Sequence, residues 1–190
     1  MRPSVSETFY SLYGAWRLLL FDRSGWDHFD KSIEGFWKSF FAAVLVAPPT
    51  AIMIAVRLSD LDYSAGPLRL LLVECLAYVI SWTAFPVIMH ALAPGLGRAS
   101  AYVGFIVAFN WAKVIQTAIY LPIVLLSAAG FLPEAITSLL YVFAMVAVLG
   151  YQWFVTRTAL DLSGAGAAGI VALDLIVGLV LIDISDGMLR

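Results

Sequence analysis

Five apolar segments follow one another along most of this chain, and each approaches or exceeds the roughly 20 residues that an apolar helix needs to cross a bilayer. They cover residues 36–56, 70–92, 101–126, 135–154 and 164–182. Backbone groups in hydrocarbon must find hydrogen-bond partners within the protein, and a continuous helix supplies them. The sequence therefore predicts an all-α, polytopic integral membrane protein with five transmembrane helices over residues 34–190.

The composition agrees with a membrane protein and argues against several other classes. Hydrophobic residues make up 62% of the chain and charged residues 13%, whereas about a quarter of a soluble domain is charged. The formal net charge is -2, and no run of like charges indicates a nucleic-acid partner. The connections between the apolar segments are too short to hold a soluble domain.

Residues 1–33 form a separate N-terminal segment that mixes charged and aromatic residues. Its apolar residues recur at the spacing of one helical face: Phe9, Leu12, Tyr13, Trp16, Leu19 and Leu20. The opposite face carries Glu7, Ser11, Gly14 and Arg17. This pattern predicts an amphipathic helix lying at the membrane interface, and the alternative is a helix that packs on protein. The predicted membrane-surface residues are Trp16, Arg17 and Trp26.

The distribution of basic residues predicts how the chain is oriented. Short loops rich in Lys and Arg stay in the cytoplasm. The side that carries the N-terminus holds Arg2, Arg17, Arg23, Lys31, Lys38, Arg98 and Arg157, and the other side holds Arg57, Arg69 and Arg190. We therefore expect a cytoplasmic N-terminus and, after five spans, a C-terminus outside.

One charge, on Lys113, lies near the middle of the third apolar segment. A lysine at a helix centre costs about 2.5 to 3.5 kcal/mol on insertion, so it is expected to face the protein interior and to have a partner or a task. Asp174 lies at a similar depth on the fifth segment and could pair with it. Glu74 lies in the outer part of the second segment, and the lysine side chain could lean towards it instead. The predicted intramembrane polar cluster is Lys113, Asp174, Glu74, Asn110 and Gln116.

Three interpretations of this cluster remain open at the level of sequence. The first is a structural ion pair that fixes how the second, third and fifth helices align. The second is a proton or ion path in which Asp174 or Glu74 changes protonation. The third is a pair that is completed only by another subunit. In every case we expect Lys113 to turn inward, with a carboxylate close to its ammonium group.

The spacing of the reactive residues gives little support for a catalytic site or a metal site. His28, His90 and Cys75 are far apart in sequence and form no recognisable zinc motif. Asp174 and Asp183 are nine residues apart, and on one helix they would point in opposite directions, which a pair of protease aspartates cannot do. We therefore predict a non-enzymatic protein with no metal site and no cofactor.

The stretch from 151 to 181 carries a resemblance to a known family. It reads YQWFVTRTALDLSGAGAAGIVALDLIVGLVL, and it is similar to the end of Yip1-family membrane proteins. The matching residues are Trp153, Ala159, Leu160, Ser163, Gly164 and Ala168. Near the N-terminus, Leu12, Tyr13 and Gly14 are similar to part of that family's Asp-Leu-Tyr-Gly-Pro motif. The resemblance implies five spans with a cytoplasmic N-terminus, and it identifies architecture more than activity.

The expected function follows from these points. We predict a Yip1-like scaffold or accessory subunit in a bacterial inner membrane, which binds lipids of the bilayer, a membrane-protein partner or a second copy of itself. No nucleic acid is expected as a partner. The alternative is a small proton- or ion-coupled transporter or channel that uses Asp174, Glu74 and Lys113.

Overall fold

The computed structural model describes residues 2–59 and 63–190. These residues form helices and connecting turns, with no strand among them, so the all-α prediction is confirmed. The α-helices are α1 (Val5–Leu19), α2 (Ile33–Ser39), α3 (Phe41–Ser59), α4 (Pro67–Gly95), α5 (Tyr102–Ala128), α6 (Glu134–Leu160) and α7 (Gly164–Leu189). Two short 3-10 turns, Arg23–His28 and Ala99–Ala101, precede α2 and α5.

Five helical segments are long and apolar enough to cross a membrane. They are Ile33–Ser59, Pro67–Gly95, Ala99–Ala128, Glu134–Leu160 and Gly164–Leu189. Each contains one of the five predicted segments, so the count of five is confirmed and the protein is an integral membrane protein. The helices extend beyond the predicted apolar segments, and the start of α7 is capped by the Ser163 hydroxyl, which accepts from the Gly166 N–H.

The chain crosses the bundle five times, so its two ends lie on opposite faces. We call the face that carries α1 the N-terminal face and the other the C-terminal face. On the N-terminal face, Arg98 joins the α4–α5 connection to the end of α6 by donating to the carbonyl of Asp161, at 2.5 Å. On the C-terminal face, the Ala65 N–H donates to the carbonyl of Leu189 at 3.2 Å.

Helix α5 is the centre of the bundle. Residues 104–112 are buried in succession on every side of this helix, which a helix can be only when protein surrounds it. Helices α3 and α6 pack along α5, and α1 and α2 cover the part of it nearest the N-terminal face. Helix α4 packs on α7, which also contacts α6.

Helix α1 packs on the bundle mainly through small residues. Its buried residues are Ser11, Gly14, Ala15 and Leu18, two of which the sequence pattern assigned to the polar side. Small side chains let the backbones approach closely. A Cβ on Gly14 would lie 2.7 Å from the carbonyl oxygen of Gly25.

The apolar residues of α1 that were predicted to contact lipid are mostly turned away from the bundle. Phe9, Trp16 and Leu20 are 66%, 49% and 59% exposed. Arg17 lies beside them, where its guanidinium donates to Asp22, Tyr13 and Ser24. Trp26 is different, since its ring packs against Gly104 of α5 and is only partly exposed. The interfacial position of α1 stays a prediction.

Candidate functional site: an intramembrane cavity

The arrangement of the helices leaves a space between two consecutive spans. Helix α3 packs along α5, and α4 packs along α7, whereas α3 and α4 make few close contacts with each other among the described residues. Three adjoining cavities occupy the resulting space, with volumes of about 580, 440 and 260 Å³. Small-molecule sites in proteins typically have about 300 to 1,000 Å³.

The three cavities meet at two residues, Thr50 of α3 and Tyr78 of α4, which line all of them. The Tyr78 hydroxyl donates to the carbonyl of Ala43 at 2.6 Å and ties α4 to α3 at this level. The 440 Å³ cavity is bordered by Leu71 and Val79, which are 59% and 58% exposed. The space therefore opens sideways, towards the lipid.

The end of the largest cavity at the C-terminal face carries a group of charged and polar side chains. Arg57 Nη2 donates to Glu74 Oε1 at 2.5 Å, and Arg57 Nη1 lies 3.3 Å from Asp186 Oδ1. Ser185 Oγ donates to the same oxygen of Glu74 at 3.3 Å. Glu74 is only 8% exposed, so Arg57 is the partner that makes its burial tolerable.

Glu74 therefore pairs with Arg57, and the alternative in which Lys113 leans towards Glu74 is wrong. The physical reason is depth. Arg57 is two residues from the end of α3, and Glu74 is two turns into α4 from the same face, within the reach of an arginine side chain. Lys113, in contrast, lies near the middle of α5.

Lys113 turns inward as predicted, but its ammonium group contacts other partners. Lys113 Nζ donates to the backbone carbonyl of Ser81 on α4 at 3.0 Å. It also lies 4.8 Å from the ring centroids of both Trp82 and Phe109, positions at which an aromatic face attracts a cation. Within residues 2–59 and 63–190 it forms no salt bridge.

The predicted direct pair between Lys113 and Asp174 is therefore wrong. The Asp174 carboxylate accepts a hydrogen bond from Gln152 Nε2 on α6. It attracts Lys113 electrostatically from a greater distance. The two residues do lie at similar depth, but Gln152 orients the carboxylate while Ser81 and the two rings hold the ammonium group.

The side chains of Asn110 and Gln116 lie in different parts of the bundle, although each residue is three positions from Lys113. Asn110 is fully buried against α2, where its Nδ2 donates to Ser39 Oγ at 2.9 Å. Gln116 lines the 260 Å³ cavity together with Lys113, and its Nε2 has no hydrogen-bond partner among the described residues. Two positions six residues apart on an α-helix point in directions that differ by about 120°, which explains why the two side chains are separated.

Three residues of the site were not predicted as members of it: Arg57, Gln152 and Trp82. Arg57 was counted as a loop residue for the orientation of the chain, although a shared depth with Glu74 was available as a signal. Gln152 carried a weaker signal, because it is a polar residue within an apolar span. Trp82 is an aromatic residue within an apolar span and carried no signal of its own.

The N-terminal face has a second ionic group, outside the membrane core. Lys38 Nζ lies 2.7 Å from a carboxylate oxygen of Glu7 on α1 and 2.7 Å from one of Glu34 on α2. The Lys38 ammonium group, with help from the Ser4 backbone N–H, lowers the pKa of Glu7 to about 2. On the same face, the backbone N–H of Ser24 and the side chain of Arg17 lower the pKa of Asp22 to about 2.

The described ranges bring few potential metal ligands or catalytic side chains together. No three His, Cys, Asp or Glu residues there lie close enough together to hold a metal ion. His28 is packed between the rings of Tyr10 and Tyr13, and His90 lies against Tyr102. Polar groups lie close together in the lining of the cavity, around Arg57 and Glu74.

Comparisons of the chain with protein-family models, with curated proteins and with solved structures found no match. The segment that resembles the Yip1 family forms the junction between α6 and α7. Trp153 packs against Gly164 there, and its indole N–H donates to the Gly164 carbonyl at 2.9 Å. The resemblance stays a prediction.

Proposed function

We propose that this protein is a non-enzymatic integral membrane protein that binds membrane lipid in the cavity between α3 and α4, and that acts as a scaffold or accessory subunit for other membrane proteins. One observation carries the proposal. Two consecutive spans are held apart by their separate packing on α5 and α7, and the space between them opens towards the lipid.

The lining of this space suits an acyl chain. Its walls are mostly aliphatic side chains, including Met53, Ile54, Val124, Leu181 and Ile182. Loss of packing around an apolar void is costly, so in a membrane a space of this kind is filled by acyl chains or by apolar side chains of a partner. The polar group around Arg57 lies at the end of this space nearest the C-terminal face, and Lys113 lines its deeper part.

The experiment that tests lipid binding compares retained lipid in matched variants. The protein is extracted in mild detergent, washed, and examined by native mass spectrometry. Thr50→Trp places an indole at the junction of all three cavities, and we expect it to lose most of the retained lipid. Val142→Trp places the same group on the outer face of α6, where Val142 is 53% exposed, and should retain lipid as the parent does. Equal retention in both variants would count against the proposal.

The scaffold part of the proposal is supported by the N-terminal face. The exposed apolar residues there include Phe9, Tyr10, Trp16, Leu20, Phe21 and Trp37. Large exposed apolar patches mark contacts with membrane or protein. Truncation of the six side chains to Ala or Ser should release a copurifying partner, while retained lipid in the cavity is unchanged. Unaltered copurification would argue against this surface as the scaffold contact.

We place the protein in a bacterial inner membrane with the N-terminus in the cytoplasm. The support is the excess of Lys and Arg on the N-terminal face, where seven lie compared with three on the other. On the C-terminal face, one of the three is Arg57, which is paired with Glu74. A reporter enzyme that is active only in the cytoplasm should be inactive when it is fused after Arg190 and active when it is fused before Met1.

A small proton-coupled transporter remains the second candidate, because Glu74 and Lys113 line cavities that meet at Thr50 and Tyr78. Proton flux into liposomes separates the two functions. A lipid-binding scaffold should give the same flux as empty liposomes. A carrier would show flux that Glu74→Gln or Lys113→Met abolishes while the protein stays folded.

A further inference from the structure

We propose that the Lys113 end of the cavity binds the carboxylate of a single-chain amphiphile, such as a long-chain fatty acid, with its alkyl chain in the apolar space between α3 and α4. This assignment rests on the proposed lipid binding and names the class of ligand. It follows from the unused hydrogen-bond donors at this end, the position of the neighbouring carboxylates and the shape of the space.

Lys113 and Gln116 line the 260 Å³ cavity, and both have N–H donors without a hydrogen-bond partner among the described residues. An ammonium group has three N–H donors, and that of Lys113 makes one hydrogen bond, to Ser81. Gln116 lies one helical turn further along α5, and its buried Nε2 has no partner within the described part of the chain. Buried donors in native proteins are almost always satisfied, so this pair indicates an acceptor from outside the chain.

Neither carboxylate of the cluster accepts a hydrogen bond from the Lys113 ammonium group. Asp174 accepts from Gln152, and Glu74 accepts from Arg57 and Ser185. Asp174 attracts Lys113 from a distance without forming a salt bridge. Two N–H groups of Lys113 and the amide of Gln116 therefore have no acceptor within the described part of the chain, and a carboxylate of a ligand supplies one.

A carboxylate fits this site better than a phosphate does. Phosphate recognition relies on several donors, usually including the planar fork of an arginine, whereas the lining of this cavity contains Lys113 and Gln116 but no arginine among the described residues. A carboxylate has two oxygens, one for each group. Lys113 also lies 11 residues from the start of α5, or about 16 Å at a rise of 1.5 Å per residue, too deep for a phospholipid headgroup.

The space beyond this end accommodates an alkyl chain. From the shared residues Thr50 and Tyr78, the cavity widens into the 580 Å³ compartment along α7 and the 440 Å³ compartment that opens to lipid. Gly178 of α7 lines the first compartment, and a Cβ there would meet nothing within 4 Å. A chain can enter sideways between α3 and α4 while the carboxylate is at Lys113.

The test measures binding of radiolabelled palmitate to the full-length, lipid-depleted protein in detergent, with hexadecanol as a competitor of the same length and no charge. We expect palmitate to bind and hexadecanol to compete at least about tenfold less well, because a charged hydrogen bond is lost. Lys113→Met keeps the length of the apolar stem and removes the ammonium group. It should weaken palmitate binding by about tenfold or more and remove the preference over hexadecanol.

Controls separate this result from general effects. Arg69→Gln removes an exposed positive charge outside the cavities and should leave palmitate binding within about twofold of the parent. Gln116→Leu should weaken binding less than Lys113→Met does, and both variants should melt close to the parent. Displacement of palmitate by chloride at comparable concentration would assign the site to an inorganic anion and overturn the proposal.

The remaining outcomes are also distinguishable. Retained phospholipid without any preference for palmitate over hexadecanol would overturn the carboxylate assignment and leave lipid binding in place. A protein that binds neither palmitate nor phospholipid would contradict both proposals. Equal palmitate affinity in the parent and in Lys113→Met would show that the ammonium group does not recognise the ligand.

Discussion

Arg57 and Glu74 join the ends of α3 and α4 across the cavity, with 2.5 Å between the guanidinium Nη2 and the carboxylate Oε1. These two helices make few other close contacts among the described residues. The ion pair and the hydrogen bond from Tyr78 to Ala43 tie together two helices whose separation comes from their packing on α5 and α7. One link lies near the C-terminal face, and the other starts from a residue that lines all three cavities.

Removal of Arg57 should be strongly destabilising. Arg57→Met leaves Glu74, which is 8% exposed, without its cation, and uncompensated buried charges cost about 3 kcal/mol or more. The measurement is thermal or denaturant unfolding in detergent. The double variant Arg57→Met with Glu74→Met should recover most of the loss, because no charge is left buried. A single variant as stable as Arg69→Gln would contradict the role of the pair.

The contact of α1 with α2 should weaken in acid. Lys38 lowers the pKa of Glu7 from 4.5 to about 2, so the carboxylate is more stable as an anion when α1 is docked. This contribution is fully present above pH 4.5, and it is lost as the pH falls towards 2. We expect hydrogen exchange in α1 to rise over this range in the parent.

The matched variants for this prediction are Glu7→Gln and Glu34→Gln. Glu7→Gln should raise exchange in α1 already at pH 6 and remove the part of the acid response that comes from Glu7. Glu34 also contacts Lys38 but lies on the same helix, so Glu34→Gln should keep the acid response. An identical pH profile in the parent and in Glu7→Gln would be inconsistent with this tether.

Gly14 should not tolerate a methyl group. A Cβ on Gly14 would lie 2.7 Å from the carbonyl oxygen of Gly25, and a backbone atom cannot move aside as a side chain can. We expect Gly14→Ala to destabilise the protein by about 1 to 3 kcal/mol, as overpacking does. Gly169→Ala is the control, because a Cβ there meets nothing within 4 Å and helical Gly→Ala is slightly stabilising. Equal melting temperatures for the two variants would refute the close approach of α1.

The buried hydrogen bond between Ser39 and Asn110 should also contribute to stability. Ser39→Ala leaves Asn110 Nδ2 buried without this acceptor, and an unsatisfied buried group costs about 1 to 3 kcal/mol. Ser59→Ala is a suitable comparison, since the Ser59 hydroxyl is exposed and donates to Val56 within its own helix. Unfolding in detergent should separate the two variants. A loss no larger than that of Ser59→Ala would contradict the prediction.

The sequence was sufficient to count and locate the five spans, because hydropathy and length identify the segments that can cross a membrane. It also predicted that Lys113 and Asp174 lie at a common depth and that Lys113 faces the protein interior. It could not assign their partners. Gln152 contacts Asp174, and Ser81 contacts Lys113, because packing fixes the rotation of each helix about its axis. Apolar residues on all sides of these spans carry little information about that rotation.

Side-chain length and size explain two contacts that hydropathy does not report. Arg57 was assigned to a loop, although its long side chain reaches Glu74. On α1, the apolar face was predicted to lie at the membrane interface, and the sequence pattern did not show that the small residues Gly14 and Ala15 contact the bundle.

The most direct test of the cavity is photocrosslinking with a lipid that carries a diazirine near the end of its acyl chain. The protein is extracted from labelled membranes and washed free of loose lipid, irradiated, and then digested and mapped. We predict that crosslinks concentrate on cavity residues such as Ile54, Leu71 and Ile182 and that Thr50→Trp removes them. Crosslinks on the outer face of α6, at Val142 and Phe143, as frequent as those in the cavity would contradict lipid binding between α3 and α4.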